Sequence, residues 1–321
     1  MSTPLSPWDL DWIVGALRDG RERWQQAWPH PRTLLPLPSQ AALTQVVEAL
    51  SDALYPTSRV AGDDHDVDGA VAHTLEAALE ALAEQVHIEL EVNQAEGRSA
   101  RAPEPAESGG ADSAASPDLQ ARARALVQEF ATQLPTIRHL LDTDLRAAYI
   151  GDPAADSLHE VLACYPGFKA ITYHRFAHAL HGLGVPVIAR IIAETAHSCT
   201  GVDIHPGARI GDSFFIDHGT GVVIGGTAVI GNRVRLYQAV TLGAKRFPVD
   251  QNGHLVKGEP RHPIVEDDVV IYSGATILGR VTIGRGATIG GNVWLTSSVP
   301  AGATVTQAMA RNETFSDGAG I

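Results

Sequence analysis

The sequence predicts a chain of two characters, an α-helical N-terminal part followed by a parallel β-solenoid of hexapeptide repeats. Three observations carry this. Apolar residues recur at helical spacing before Cys199, aliphatic residues fall on a six-residue ruler after Gly201, and the two patterns do not overlap.

The elements follow in order. From Ala41 to Glu96 the text is rich in Ala, Leu and Glu, with Val71, Leu75, Leu79, Leu82, Val86 and Leu90 on one helical face. Residues 1–97 are therefore expected to form a helical region. Residues 98–118 hold small residues, prolines and charges that cannot bury a core, so a flexible linker is expected there. Helical text resumes over 119–200, with a break expected at Pro135 and shorter helices punctuated by Pro153, Pro166 and Pro186.

Over 201–300 the ruler reads Ile204, Ile210, Ile216, then Ile224, Ile230, Leu236, Leu242, then Val265, Ile271, Ile277, Ile283, Ile289, Leu295. A second column four residues later is small or aliphatic, as at Ala208, Val240 and Ala287. This period marks a β-helix whose ruler residues point inward, and whose coils bury their faces only by stacking. Gly211, Gly225, Gly231 and Gly243 follow ruler positions and are expected where the chain turns sharply. Residues 301–321 are expected to be a cap and a tail.

Bulk properties narrow the function. No apolar run in the 321 residues approaches the roughly 18 needed to span a bilayer, and the start MSTPLSPWDLDW lacks the features of a secretory signal, so a cytoplasmic protein is expected. A net charge of −13 argues against nucleic acid or an anionic membrane as partner. Cys164 and Cys199 are too few for a disulfide framework and are expected to be packing residues.

Chemistry is expected where the ruler breaks, because insertions leave a solenoid as loops. The step from Ile216 to Ile224 is eight and contains Asp217-His218-Gly219-Thr220-Gly221. The step from Leu242 to Val265 is twenty-three and contains Lys245, Arg246, Lys257 and Arg261 against Asp250 and Glu259, a basic loop able to attract an anionic cosubstrate. His218 is the candidate general base, since an imidazole can take a proton from an alcohol attacking a carbonyl. Asp203, less than one eighteen-residue turn before it, is the candidate orienting carboxylate. His205 reads as structural, and His205, His218, His254 and His262 share no metal-ligand motif, so no metal is expected.

The strings DIHPGARIG (203–211), DHGTG (217–221), TLG (241–243) and RHP (261–263), with DPAAD (152–156) and YPGFKAITYHRFAHAL (165–180) upstream, resemble the serine O-acetyltransferase family over roughly residues 150 to 300. The resemblance implies a left-handed β-helix and a homo-oligomer, a trimer or dimer of trimers, with active sites between neighbours. It implies acetyl-CoA as cosubstrate, His218 as catalytic base with Asp203 as its partner, and Asp152, Asp217, Arg261 and His262 as the residues that hold L-serine. Gly243 and Lys245 are the candidate coenzyme contacts. The loop before Arg261 is longer than in the enterobacterial type and is similar to a branch named for exopolysaccharide clusters. His174 stands where that family has a tyrosine, and the segment before Asp118 carries no such resemblance. The end of the chain, NETFSDGAGI, resembles a tail that docks into O-acetylserine sulfhydrylase, with Ile321 as anchor. Rival readings are an acetyltransferase for another hydroxyl such as a sugar, a metal-dependent hydratase on a similar prism, and a non-catalytic scaffold.

Overall fold

The structure is a computed structural model that describes residues 10–27, 36–56, 67–97, 118–246 and 250–307. Of the expected linker at 98–118, residues 98–117 lie outside the described residues, as does Ile321, and Asp118 is the N-cap of a helix. Among the described residues seven helices come first: α1 (Leu10–Ala27), α2 (Gln40–Leu54), α3 (Val67–Ala95), α4 (Leu119–Gly151), α5 (Leu158–Cys164), α6 (Pro166–Gly182) and α7 (Pro186–Thr200).

Asp118 starts α4, its Oδ1 accepting from the N–H groups of Gln120 and Ala121 at 3.0 and 3.2 Å. The break expected at Pro135 does not occur, and α4 runs through it. An interior proline removes one backbone hydrogen bond and costs about 3 kcal/mol. Leu134 and Ile137 on either side are buried in the helical core, and such burial returns roughly 1.5 to 3 kcal/mol per side chain. The prolines of α6 and α7 instead stand at the first helical position, where no bond is lost.

The regions before and after the linker share one core. Leu50, Leu82, Phe130, Leu141, Phe176 and Ile192 are all buried within the same cluster. Polar contacts reinforce it: Gln85 Oε1 accepts from Ser39 N at 2.7 Å, and the buried Glu89 carboxylate accepts from Val187 N and Ile188 N at 3.0 and 2.9 Å. Burial raises the Glu89 carboxyl above its ordinary range, and those two amides oppose the shift.

After Gly201 each coil contributes short strands to the sides of a prism. The coils hold β1 (Asp203–Ile204), β2 (Arg209–Ile210) and β3 (Phe215–Ile216); β4 (Val223–Ile224), β5 (Val229–Ile230) and β6 (Arg235–Leu236); β7 (Thr241–Gly243), β8 (Ile264–Val265) and β9 (Val270–Ile271); β10 (Thr276–Leu278), β11 (Thr282–Ile283) and β12 (Thr288–Ile289); then β13 (Trp294–Leu295) and β14 (Thr304–Val305). They stack in parallel as β1-β4-β7-β10-β13 on the first side, β2-β5-β8-β11 on the second and β3-β6-β9-β12-β14 on the third. This is the left-handed hexapeptide β-helix. Eleven of the thirteen ruler residues are buried, and Ile210 and Leu295 are partly so.

Two details differ from expectation. The glycines after ruler positions have ordinary φ and are required by the next coil: a Cβ on Gly231 would lie 2.8 Å from Asp267 N. Left-handed backbone falls elsewhere at the corners, on Ser213, Arg233, Ala239, Asp268 and Asn292 among others. Both cysteines are exposed rather than packed, because Cys164 closes a short helix and Cys199 stands on the outer face of α7.

A buried bidentate ion pair ties the helices to the first coil. Arg175 Nε and Nη2 donate to Asp144 Oδ2 and Oδ1 at 2.7 and 2.9 Å. Arg175 Nη2 also reaches Gly211 O at 2.9 Å, and Asp144 Oδ1 accepts from Phe214 N at 2.8 Å.

Candidate active site

The first break in the ruler is a corner enlarged by two residues. Later coils turn this edge with left-handed backbone at Ala239, Gly274 or Asn292. Here the chain passes Asp217, then His218 at φ 60°, Gly219 at 88° and Gly221 at 79°. The Gly219 N–H closes back on Asp217 O at 2.7 Å, and the Val222 N–H on Gly219 O at 3.0 Å. Left-handed backbone at a residue with a Cβ costs roughly 1 to 2 kcal/mol. At His218 it turns the ring outward, leaving the side chain 69 % exposed.

Two carboxylates flank this imidazole. Asp152, the residue that ends α4, accepts at Oδ2 from the Tyr165 hydroxyl at 2.6 Å and at Oδ1 from Ala154 N at 2.8 Å. The tyrosine bond foremost, then the Ala154 amide, hold the Asp152 carboxyl below its usual range; Arg235 and His218 add to this. The same bond pushes the Tyr165 phenol up to about 12. Asp217 is buried: its Oδ2 accepts from Arg235 Nη2 at 2.9 Å, and its Oδ1 lies 3.7 Å from His218 Nδ1. The cluster can hold an ammonium between its carboxylates and a proton on its imidazole.

The second group sits on the next edge of the prism, where the long loop rejoins the solenoid. His262 fills space that only glycine at 225 leaves open, since a Cβ there would lie 2.0 Å from the ring. Its Nδ1 accepts from Thr227 N at 3.1 Å and lies 2.8 Å from Thr227 Oγ1, which accepts from the N–H groups of Arg261 and His262 at 2.9 and 3.1 Å. Burial, then the Arg261 charge, lower the His262 pKa to about 4. The ring is neutral at pH 7, and with Nδ1 accepting, its proton stands on Nε2. His205 keeps its structural reading, its Nδ1 accepting from Gly207 N at 3.0 Å.

Within one chain the predicted site residues therefore fall into two sets. Asp152, Asp217 and His218 come together; Arg261 and His262 come together on another edge. Among the described residues no hydrogen bond or ion pair joins the sets, and none joins Asp203 to His218. Less than one turn of separation does not place two residues side by side: Asp203 is on the first side of the prism, paired in register with Val223. Its carboxylate stands with Glu194 and His197 of α7, ligand atoms within 4.8 Å of one another. Gly243 ends β7 against Leu278, and Lys245 is exposed at the start of the loop.

Sequence reasoning missed Tyr165, Arg235 and Thr227. Tyr165 lay unread inside YPGF. Arg235 had a signal that went unread: it stands one eighteen-residue coil after Asp217, and although the register pairs it with Phe215 it reaches Asp217 diagonally across the ladder. Two cavities touch the surroundings of the corner without reaching it: one of about 590 Å³ is walled partly by Tyr165 and one of about 550 Å³ partly by Arg235, and neither is lined by His218, Asp217 or Asp152. The corner itself is an open surface in a single chain.

The family profile described as bacterial transferase hexapeptide (six repeats) matches residues 262–297, and that described as serine acetyltransferase, N-terminal, matches residues 111–172. A protein named "Serine acetyltransferase, plasmid" from Synechococcus elongatus is 51 % identical over 323 residues, covering 98 % of this chain and 95 % of its own. The serine acetyltransferase of Bacillus licheniformis is 47 % identical over 166 residues, 52 % of this chain and 73 % of its own. The crystal structure of Entamoeba histolytica serine acetyltransferase 1 in complex with L-cysteine has a TM-score of 0.68 at 32 % identity, covering 92 % of this chain and 98 % of that one. A soybean serine acetyltransferase complexed with serine has a TM-score of 0.51 at 30 % identity, covering 85 % of this chain and 99 % of that one.

The prism, the hexapeptide transferase profile and the relatives together make this a hexapeptide-repeat acyltransferase. The chain belongs to the serine acetyltransferase family. The residues before Asp118, which carried no resemblance by motif, are matched in the Synechococcus relative.

Proposed function

We propose that this protein is a serine O-acetyltransferase that passes the acetyl group of acetyl-CoA to the hydroxyl of L-serine, giving O-acetyl-L-serine for cysteine biosynthesis. The observation that carries the reading is the His218 corner, where an exposed imidazole stands beside Asp152 and Asp217. The substrate ammonium lies between those carboxylates. Its carboxylate is taken by Arg261, and its hydroxyl lies between His218 and the Nε2–H of His262.

The two sets of residues require each other but occupy separate edges of one prism. An oligomer with threefold symmetry sets the second edge of one copy against the His218 corner of the next, completing the site with Arg261, His262 and Asp203 of the neighbour. His218 takes the serine proton as the oxygen attacks the thioester carbonyl, the C–S bond breaks, and the leaving thiolate recovers that proton from His218. Asp203 and Asp217 steady the imidazolium. The coenzyme runs in the groove between copies, past Gly243 and the basic loop that begins at Lys245.

The wider assignments belong to the same reading: a cytoplasmic enzyme with no metal, whose tail anchors on O-acetylserine sulfhydrylase through Ile321. Among the described residues no helix is long and apolar enough to cross a membrane. The test is thiol release from acetyl-CoA with L-serine as acceptor. Release that depends on serine supports the reading; equal release with a sugar alcohol or with no acceptor overturns it.

A further inference from the structure

We propose that Arg235 is a positioning residue of the serine site, holding Asp217 so that one carboxylate oxygen is committed to the guanidinium while the other is turned to His218 and the substrate ammonium. This rests on the reading of Asp217 as a serine-binding residue.

The geometry of Arg235 is built for that task. Its guanidinium carbon lies 5.0 Å from the centre of the Phe215 ring and 4.6 Å from that of Tyr237. Tyr237 is in turn stacked on Tyr272, with ring centres 5.0 Å apart and planes 10° apart. A planar cation on two aromatic rings is fixed without help from other polar groups, a role that a lysine fills poorly. From that position Nη2 reaches Asp217 Oδ2 at 2.9 Å, and Asp217 Oδ1 is left 3.7 Å from His218 Nδ1.

Arg235 Nε is buried and has no hydrogen-bond partner. The guanidinium makes its hydrogen bond to Asp217 Oδ2. Here the charge on the carboxylates is what the arrangement secures. Asp217 alone would be a buried, unpaired anion, with a second carboxylate, Asp152, acting on the same Tyr165. With Arg235 in place the cluster of two carboxylates and one guanidinium carries one net negative charge, the complement of a single ammonium. Arg235 also helps to hold Asp152 ionised.

The experiment is a double-mutant cycle on the full chain with Arg235→Met and Asp217→Asn, and Arg235→Lys as the conservative variant. KM and kcat are measured separately for serine and for acetyl-CoA. Asp217→Asn should raise the KM for serine, and Arg235→Met should raise it about tenfold, the effect of losing a hydrogen bond to a charged group. The KM for acetyl-CoA should stay within about twofold. Arg235→Lys should recover part of the loss. In the double variant the arginine change should add little to the asparagine change, because its effect passes through the carboxylate. Fully additive effects, or an Arg235→Met enzyme with ordinary serine KM, overturn the positioning role. An Asp217→Asn enzyme with ordinary serine KM overturns the reading of the site, and the proposal with it. If Arg235→Met does not fold, the Arg235→Lys cycle decides between the same outcomes.

Discussion

His218 owes its exposure to the two residues that enlarge its corner, and its neighbours determine what it can do. Replacing it with alanine should lower kcat by roughly 10² to 10⁴, the range of general acid–base catalysis, while acetyl-CoA binding survives. Stopped-time thiol release and coenzyme titration measure the two quantities; near-normal turnover sinks the assignment. Tyr165 makes a separate prediction. Its hydroxyl is the foremost cause of the low Asp152 pKa. In Tyr165→Phe that carboxyl rises toward the ordinary range. The charge proposed to bind the ammonium is present above the pKa of Asp152 and lost as pH falls through it, so the acid limb of kcat/KM for serine should move to higher pH. A pH–rate profile that superimposes on the parent refutes the role. This tyrosine was not legible from the sequence as a site residue, because nothing in YPGF says that the N-terminus of α6 meets the C-terminus of α4.

At the scale of elements, α7 begins with Pro186 and has no side-chain cap of its own at Val185. Glu89 supplies one from α3, ninety-eight residues away from Val187. Glu89→Ala leaves two amide donors at the start of α7 unsatisfied inside the core, which should lower stability by about 1 to 3 kcal/mol. Urea unfolding at fixed protein concentration measures this, and an unchanged midpoint would show that α7 needs no borrowed cap. The helices and strands differ in how much of this the sequence discloses. A solenoid coil repeats one local rule, so Ile204 to Leu295 could be assigned almost residue by residue. The helical packing rests on long-range pairs such as Glu89 with α7, or the burial that carries α4 through Pro135, and neither has a local signature.

The whole molecule depends on where two differently built halves meet. Asp152 comes from the end of α4 and His218 from the first coil, so the proposed serine site forms only if α4 is held against that coil. Asp144 and Arg175 do this at the junction, with side chains 1 % and 5 % exposed and bonds to Gly211 O and Phe214 N. The same junction explains why the sequence disclosed the site unevenly: motifs name the residues, whereas which of them meet in one copy depends on the prism edges, and that separated Asp203, Arg261 and His262 from the corner. Removing one member of a buried pair strands the other charge in a low-dielectric interior, which costs about 3 to 5 kcal/mol, whereas replacing both with apolar residues of similar size is often close to neutral. Asp144→Leu and Arg175→Met should therefore each lower the urea midpoint strongly, and the combined variant should recover much of the loss. Activity separates the two functions of the pair. The combined variant still lacks the bonds from Arg175 to Gly211 O and from Phe214 N to Asp144, so its serine KM should remain raised even where its stability returns. A double variant as unstable as the sum of the singles, or one whose serine KM is fully normal, would show that the pair neither compensates a buried charge nor sets the distance between Asp152 and His218.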